Sequence, residues 1–133
     1  MDGTRNYIDK GNNFCICIAL IKDGYPILGI IYSPISEYFY YAYVNHRAYV
    51  IKKSGSPVNI TTCKISNMGN NVYTSISIHK SILEQISKHV ENAIFVKLAS
   101  ALKFGAIASG DGCYLIDQHG KHYFDAGGAA VSC

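Results

Sequence analysis

Asp2-Gly3-Thr4 sets side by side three groups that phosphate chemistry uses. A carboxylate is a ligand for a hard divalent cation, which takes oxygen donors. A glycine lets backbone N–H groups approach a phosphate closely, and a threonine hydroxyl can orient an attacking water. Near the other end, Phe124-Asp125 offers a second carboxylate. Taken alone, Asp-Gly is among the commonest turn dipeptides. Asp125 is equally an N-cap, accepting hydrogen bonds from the open N–H groups at a helix start; cap and ligand are compatible roles.

Two sets of elements must position these groups. Residues 5–9 are expected to form a helical turn, broken by Lys10-Gly11-Asn12-Asn13. The short run 14–21 is rich in β-branched residues and apolar at both alternating sets of positions, which predicts a strand covered on both faces. Asp23-Gly24 then supplies a two-residue hairpin turn of the primed type, because its central positions want positive φ. The chain returns antiparallel over 26–33, and Pro34 stops it for want of a ladder donor. Residues 37–44 make an aromatic third strand, Asn45-His46 turns, and 47–52 make a fourth. The tyrosines suit cross-strand pairing at period two better than a base-stacking platform.

Ser54-Gly55-Ser56-Pro57 and the Asn-rich stretch 66–71 bracket a shift from strands to alternating units. A short strand is expected over 72–77. Ser81 with Glu84 forms a capping-box pattern for a helix whose Ile82, Leu83, Ile86 and Val90 share one face. A strand over 93–98, a small-residue helix over 100–109 ended by Gly110, a strand over 113–116 and a last helix after Phe124 complete the chain. Meander first and alternation second is the pattern of a layered α/β (α+β) fold. Residues 1–65 hold the metal-motif loop and the meander, and 66–133 an α/β sub-domain of the same globular unit.

Composition narrows the function. In 133 residues, 49% are hydrophobic and 16% charged, which favours one domain with a buried core over disorder. The net charge of +3 comes from 12 basic and 9 acidic residues. The basic ones are scattered, unlike the concentrated face of a nucleic-acid reader, and such mild basicity suits a small anionic ligand. Five cysteines form no C-x-x-C pair; Cys15 and Cys17 alternate onto one strand face as small core residues, with reduced thiols as the default. The longest apolar run is far below the roughly 20 residues of a membrane helix, and no signal-peptide pattern opens the chain. His119-x-x-His122 has a spacing that ligates zinc on a helix, but its polar, Gly-containing surroundings predict a loop.

Asp2-Gly3-Thr4 with Tyr7 after it, the apolar runs around Asp23-Gly24, Ser100-Ala101-Leu102-Lys103-Phe104 and Phe124-Asp125-Ala126-Gly127-Gly128-Ala129-Ala130 occur in a telling order. In that order they resemble the inositol monophosphatase superfamily, most closely its CysQ branch, the 3'(2'),5'-bisphosphate nucleotidases. The superfamily signature reads D-P-[IL]-D-G-[TS], then W-D-x-A-A-G. Asp2-Gly3-Thr4 matches the second half of the first motif, Met1 stands at its Ile/Leu position, and Phe124 replaces Trp. The first Asp, the Pro and an upstream Glu-Glu segment have no counterpart, so the expectation is a piece truncated at both ends of the family pattern.

The resemblance implies Mg²⁺-dependent hydrolysis of a phosphate monoester, with adenosine 3',5'-bisphosphate or a similar phosphorylated nucleotide or sugar phosphate as substrate. Asp2 and Asp125 would ligate the metal, Gly3 and Thr4 would offer N–H groups to the phosphate, and Thr4 would position the water. Ser100 and Lys103 would contact the nucleotide or its second phosphate, with Ala99 replacing a family Gly. Two departures remove positive charge: the family's S-R-S-H is here Ser75-Ile76-Ser77-Ile78 with His79 one place later, and Asp117 stands where CysQ-like relatives carry Arg. With upstream carboxylates missing, the chain alone is expected to be inactive or nearly so, the alternatives being a non-catalytic remnant or a small binding domain. The expected location is cytoplasmic, peripheral on the inner membrane at most, and exposed apolar surface would promote oligomers.

Overall fold

A computed structural model describes residues 1–61, 70–98, 101–112 and 114–116. It begins with a single helical turn, α1 (Thr4–Ile8), and a five-stranded antiparallel sheet in the order β1 (Ile16–Lys22), β2 (Tyr25–Ser33), β3 (Tyr38–Tyr43), β4 (Ala48–Lys52) and β5 (Val58–Ile60). A three-stranded parallel sheet follows, with β6 (Asn71–Thr74) between β7 (Ile94–Lys97) and β8 (Tyr114–Ile116). Helix α2 (Lys80–Ser87) connects β6 to β7, and α3 (Leu102–Ala108) connects β7 to β8. The meander-then-alternation order is as expected, and β5 adds a fifth strand to the four read from the sequence. Among the described residues no helix is long and apolar enough to cross a membrane.

Local chemistry explains the turns. Asp23 and Gly24 both take positive φ, 51° and 80°, as a primed turn requires. Gly110 at φ 75° closes α3: its N–H bonds Ile107 and the Asp111 N–H bonds Ala106, the paired contacts of a Schellman stop. Helix α2 buries no residue completely, but Ile82, Leu83 and Ile86 are its less exposed side, as the periodicity predicts. Its start differs from the capping-box expectation. His79 is the N-cap, Ser81 Oγ lies 2.8 Å from His79 Nδ1, and Glu84 reaches Lys80 at 3.9 Å. With Ser81 already inside the helix, its hydroxyl is not placed to cap.

The core lies on one face of the large sheet. Ile31, Tyr40, Val50 and Ile60 cluster there with Cys15, Ala101, Leu102 and Ala108, so α3 and the residue before it roof the strands. Gly105 permits that approach: a Cβ there would stand 2.7 Å from the Tyr40 ring. The opposite face carries three rows set by the register. These are Ile16-Tyr32-Phe39-Ile51, Ile18-Ile30-Tyr41-Tyr49 and Leu20-Leu28-Tyr43. None of these side chains is buried, and the expectation that β1 is covered on both faces is therefore corrected. Cys15 is fully buried, whereas Ile16, Ile18 and Leu20 are 40%, 53% and 52% exposed, because α3 packs on only one side. The aromatics make cross-strand pairs as anticipated, Tyr41 stacking on Tyr49 at 5.3 Å and Tyr32 tilting on Phe39 at 6.1 Å.

Candidate active site

The Asp-Gly-Thr loop is tied to the edge of the large sheet by two backbone hydrogen bonds. The Asp2 N–H donates to the Cys15 carbonyl at 2.8 Å, and the Cys15 N–H returns to the Asp2 carbonyl at 3.0 Å. Residues directly opposite in such an antiparallel pair project to one face, so Asp2 and Cys15 meet, and Cys17, two residues along, joins them. Gly3 then turns the chain at φ 81°, where a Cβ would lie 2.8 Å from the Asn13 carbonyl oxygen. The motif's glycine is required by backbone geometry as well as by any ligand. Thr4 opens α1 and is exposed.

The Asp2 carboxylate is fixed from the far end of the sequence. Its Oδ2 accepts a 2.7 Å hydrogen bond from the Ala101 backbone N–H. Cys15 Sγ lies 3.9 Å from the same oxygen, and the two sulfurs lie 3.8 Å apart. The contact with Cys17, burial, and the charges of Cys17 and Asp2 together hold the Cys15 thiol well above its usual range, so Cys15 stays protonated here. Two residues past Ala101, Lys103 is fully buried and its Nζ donates to Ser75 Oγ at 2.7 Å. Beside Ser75, the buried Thr74 Oγ1 has no protein partner among the described residues.

The structure thus brings Asp2 to the segment that enters α3, and Lys103 to the end of β6 through Ser75. Ser100 and Asp125 lie outside the described residues, as do Asp117, His119 and His122. Sequence reasoning treated Cys15 and Cys17 as core residues and did not place them beside Asp2. Alternation puts the two thiols on one face, but the pairing of Asp2 with Cys15 is a tertiary contact that leaves no periodic trace. Nor did a helical Ser-x-x-Lys pattern reveal that Lys103 is buried.

Mg²⁺ prefers near-octahedral oxygen coordination. The group of possible metal ligands gathered among the described residues is Asp2, Cys15 and Cys17, one carboxylate and two sulfurs. That donor set does not fit Mg²⁺.

Residues 1–131 match the model of the inositol monophosphatase family. The chain belongs to this family. Among inositol monophosphatase relatives, it is 31% identical to the 3'(2'),5'-bisphosphate nucleotidase CysQ of Buchnera aphidicola, over 83% of this chain and 40% of that protein. It is 27% identical to CysQ of Haemophilus influenzae, over 98% of this chain and 49% of that one. The crystal structure of CysQ from Bacteroides thetaiotaomicron superposes with a TM-score of 0.80 at 19% identity, covering 98% of this chain and 55% of that chain. The fold is therefore that of the family over about half of its length, and the chain spans less than half of the Buchnera and Haemophilus CysQ proteins.

Proposed function

We propose that this chain is the Asp-Gly-Thr-bearing part of a CysQ-type phosphate monoester hydrolase, and that by itself it turns over little or no substrate. The Asp2–Ala101 hydrogen bond carries this reading, since it draws the proposed phosphate loop onto the segment that leads to Lys103. The substrate class is a small phosphorylated nucleotide or sugar phosphate, adenosine 3',5'-bisphosphate first, in keeping with the names of the CysQ relatives. Within it, Asp2 and Asp125 are metal ligands, Gly3 and Thr4 face the phosphate, Thr4 orients the water, Ser100 meets the nucleotide, and Lys103, buried with its ammonium on Ser75 Oγ, reaches the nucleotide only by leaving that bond. In a complete site of this type Mg²⁺ supplies charge neutralisation.

The low activity proposed for the isolated chain rests on its span, 40% and 49% of the two CysQ relatives. Removing stabilising charge from a phosphate-transfer site costs orders of magnitude in rate. The test is phosphate release from adenosine 3',5'-bisphosphate with and without excess Mg²⁺. Release indistinguishable from the uncatalysed rate is expected, and robust turnover by the chain alone overturns it.

A second reading, a non-catalytic piece that self-associates, is favoured by the apolar rows on the open face of the large sheet. None of those positions carries a charge, so two copies stack there without burying one. Sedimentation velocity is expected to show concentration-dependent association that Ile18→Lys weakens. A monodisperse monomer at all concentrations removes this reading.

A further inference from the structure

Cys15 and Cys17, which the hydrolase reading does not use, meet Asp2, which it does, in a second kind of site. Their ligand atoms all lie within 4.8 Å of one another. Two sulfurs bound at about 2.3 Å to one tetrahedral ion stand about 3.8 Å apart, and Cys15 Sγ and Cys17 Sγ stand 3.8 Å apart. The Cys15 Sγ to Asp2 Oδ2 separation of 3.9 Å is a few tenths of an ångström longer than the about 3.5–3.7 Å of a sulfur and an oxygen sharing such an ion, a gap that a small rotation of the carboxylate closes. Three features hold this geometry in place: the paired backbone bonds between Asp2 and Cys15, the strand period that aligns Cys17, and the Ala101 N–H on the carboxylate. Cys15 is buried, whereas Cys17 and Asp2 are partly open, leaving an entry path and room for a fourth ligand from solvent.

We propose that Cys15, Cys17 and Asp2 form a binding site for a thiophilic divalent cation of the Zn²⁺ or Cd²⁺ class, selective against Mg²⁺. On binding, two S–H bonds break, two metal–sulfur bonds form and two protons pass to solvent, with no change of oxidation state. The three anionic ligands then outweigh the dication by one charge. Soft thiolates select such ions over magnesium, which prefers oxygen. Asp2 is shared with the hydrolase reading, but this proposal does not rest on it, because the two thiolates and their absorption are independent of phosphate chemistry.

The probe is Cd²⁺, followed by its thiolate-to-metal absorption in the ultraviolet, on the full chain carrying Cys63→Ser, Cys113→Ser and Cys133→Ser so that only the pair remains. One Cd²⁺ per chain is expected, with a band that excess Mg²⁺ leaves unchanged. Adding Cys17→Ser should halve the band and weaken binding at least tenfold, and Asp2→Asn should keep the band with affinity lowered several-fold. In the chain with all five cysteines, Cys17→Ser alone should remove one thiolate's share of the absorption, which provides the test if the triple variant does not fold. No stoichiometric band, displacement by Mg²⁺, or a band indifferent to Cys17→Ser overturns the proposal. Whichever result is obtained, the phosphate-release assay stands or falls separately.

Discussion

Asp2 and Ala101, 99 positions apart in sequence, are joined by a 2.7 Å hydrogen bond from backbone N–H to carboxylate oxygen. The bond links the loop at the sheet edge to the start of α3, the helix that roofs the core. A bond to a charged acceptor contributes about 1.5–3 kcal/mol, and Asp2 is partly exposed, so the lower end applies. Asp2→Ala is expected to destabilise the chain by about 1.5 kcal/mol in chemical denaturation, and Asp2→Asn, which keeps an acceptor, by less than half of that. Equal losses for the two variants would show that the contact contributes nothing beyond side-chain volume.

The packing of α3 on the sheet depends on the absence of a side chain at Gly105. A Cβ there meets Tyr40 ring atoms at 2.7 and 2.8 Å, and Tyr40 is buried in the core. Gly105→Ala gains helix propensity of roughly 1 kcal/mol but forces an overpacked contact that costs about 1–3 kcal/mol. Net destabilisation is expected, measured as a lowered denaturation midpoint. Combining it with Tyr40→Leu should recover much of the loss, since the clash is with the ring.

Much of this architecture is legible in the residues, and its gaps have physical causes. Asp23-Gly24 announces its turn because few residues accept positive φ, and the period of Ile82, Leu83 and Ile86 gives α2. The one-sided burial of β1 is not legible: Cys15, Cys17 and Ala19 are apolar, as are Ile16, Ile18 and Leu20, and only the position of α3 decides which set is covered. Strand β5 is hidden behind the Ser-Gly-Ser-Pro turn because its three residues carry too short a pattern. At the candidate site, Asp-Gly-Thr is visible as a motif. The meeting of Asp2 with Cys15 and Ala101 depends on long-range pairing that local composition does not encode.

Lys103 tests how a buried cation is tolerated. Its ammonium donates to Ser75 Oγ at 2.7 Å with the residue fully buried. Deleting an acceptor from a buried charged donor costs roughly 1–3 kcal/mol, more than the loss of a surface bond. Ser75→Ala is therefore expected to lower stability by that amount. Ser75→Thr keeps the hydroxyl and should fall between it and the parent chain. If Ser75→Ala is neutral in urea denaturation, this hydrogen bond is not what sustains Lys103 in the interior.

Tyr40 gives the fold an alkaline limit. Burial pushes its phenol up to about 12, with a hydrogen bond to Ser109 opposing the shift and the charge of Asp111 adding to it. In the unfolded chain the phenol ionises near 10. Between those values the unfolded state has released its proton while the folded state still holds it. The unfolded form therefore binds fewer protons, and stability falls as pH rises. The contribution is intact below pH about 10 and is lost progressively toward pH about 12, a span equivalent to roughly 2–3 kcal/mol. Tyr40→Phe removes this titration and shifts stability by a constant offset through the lost hydroxyl. Urea unfolding from pH 9 upward is thus expected to show the parent chain declining more steeply than Tyr40→Phe, with the two curves converging or crossing. Parallel curves over that range would mean that Tyr40 does not retain its proton in the fold.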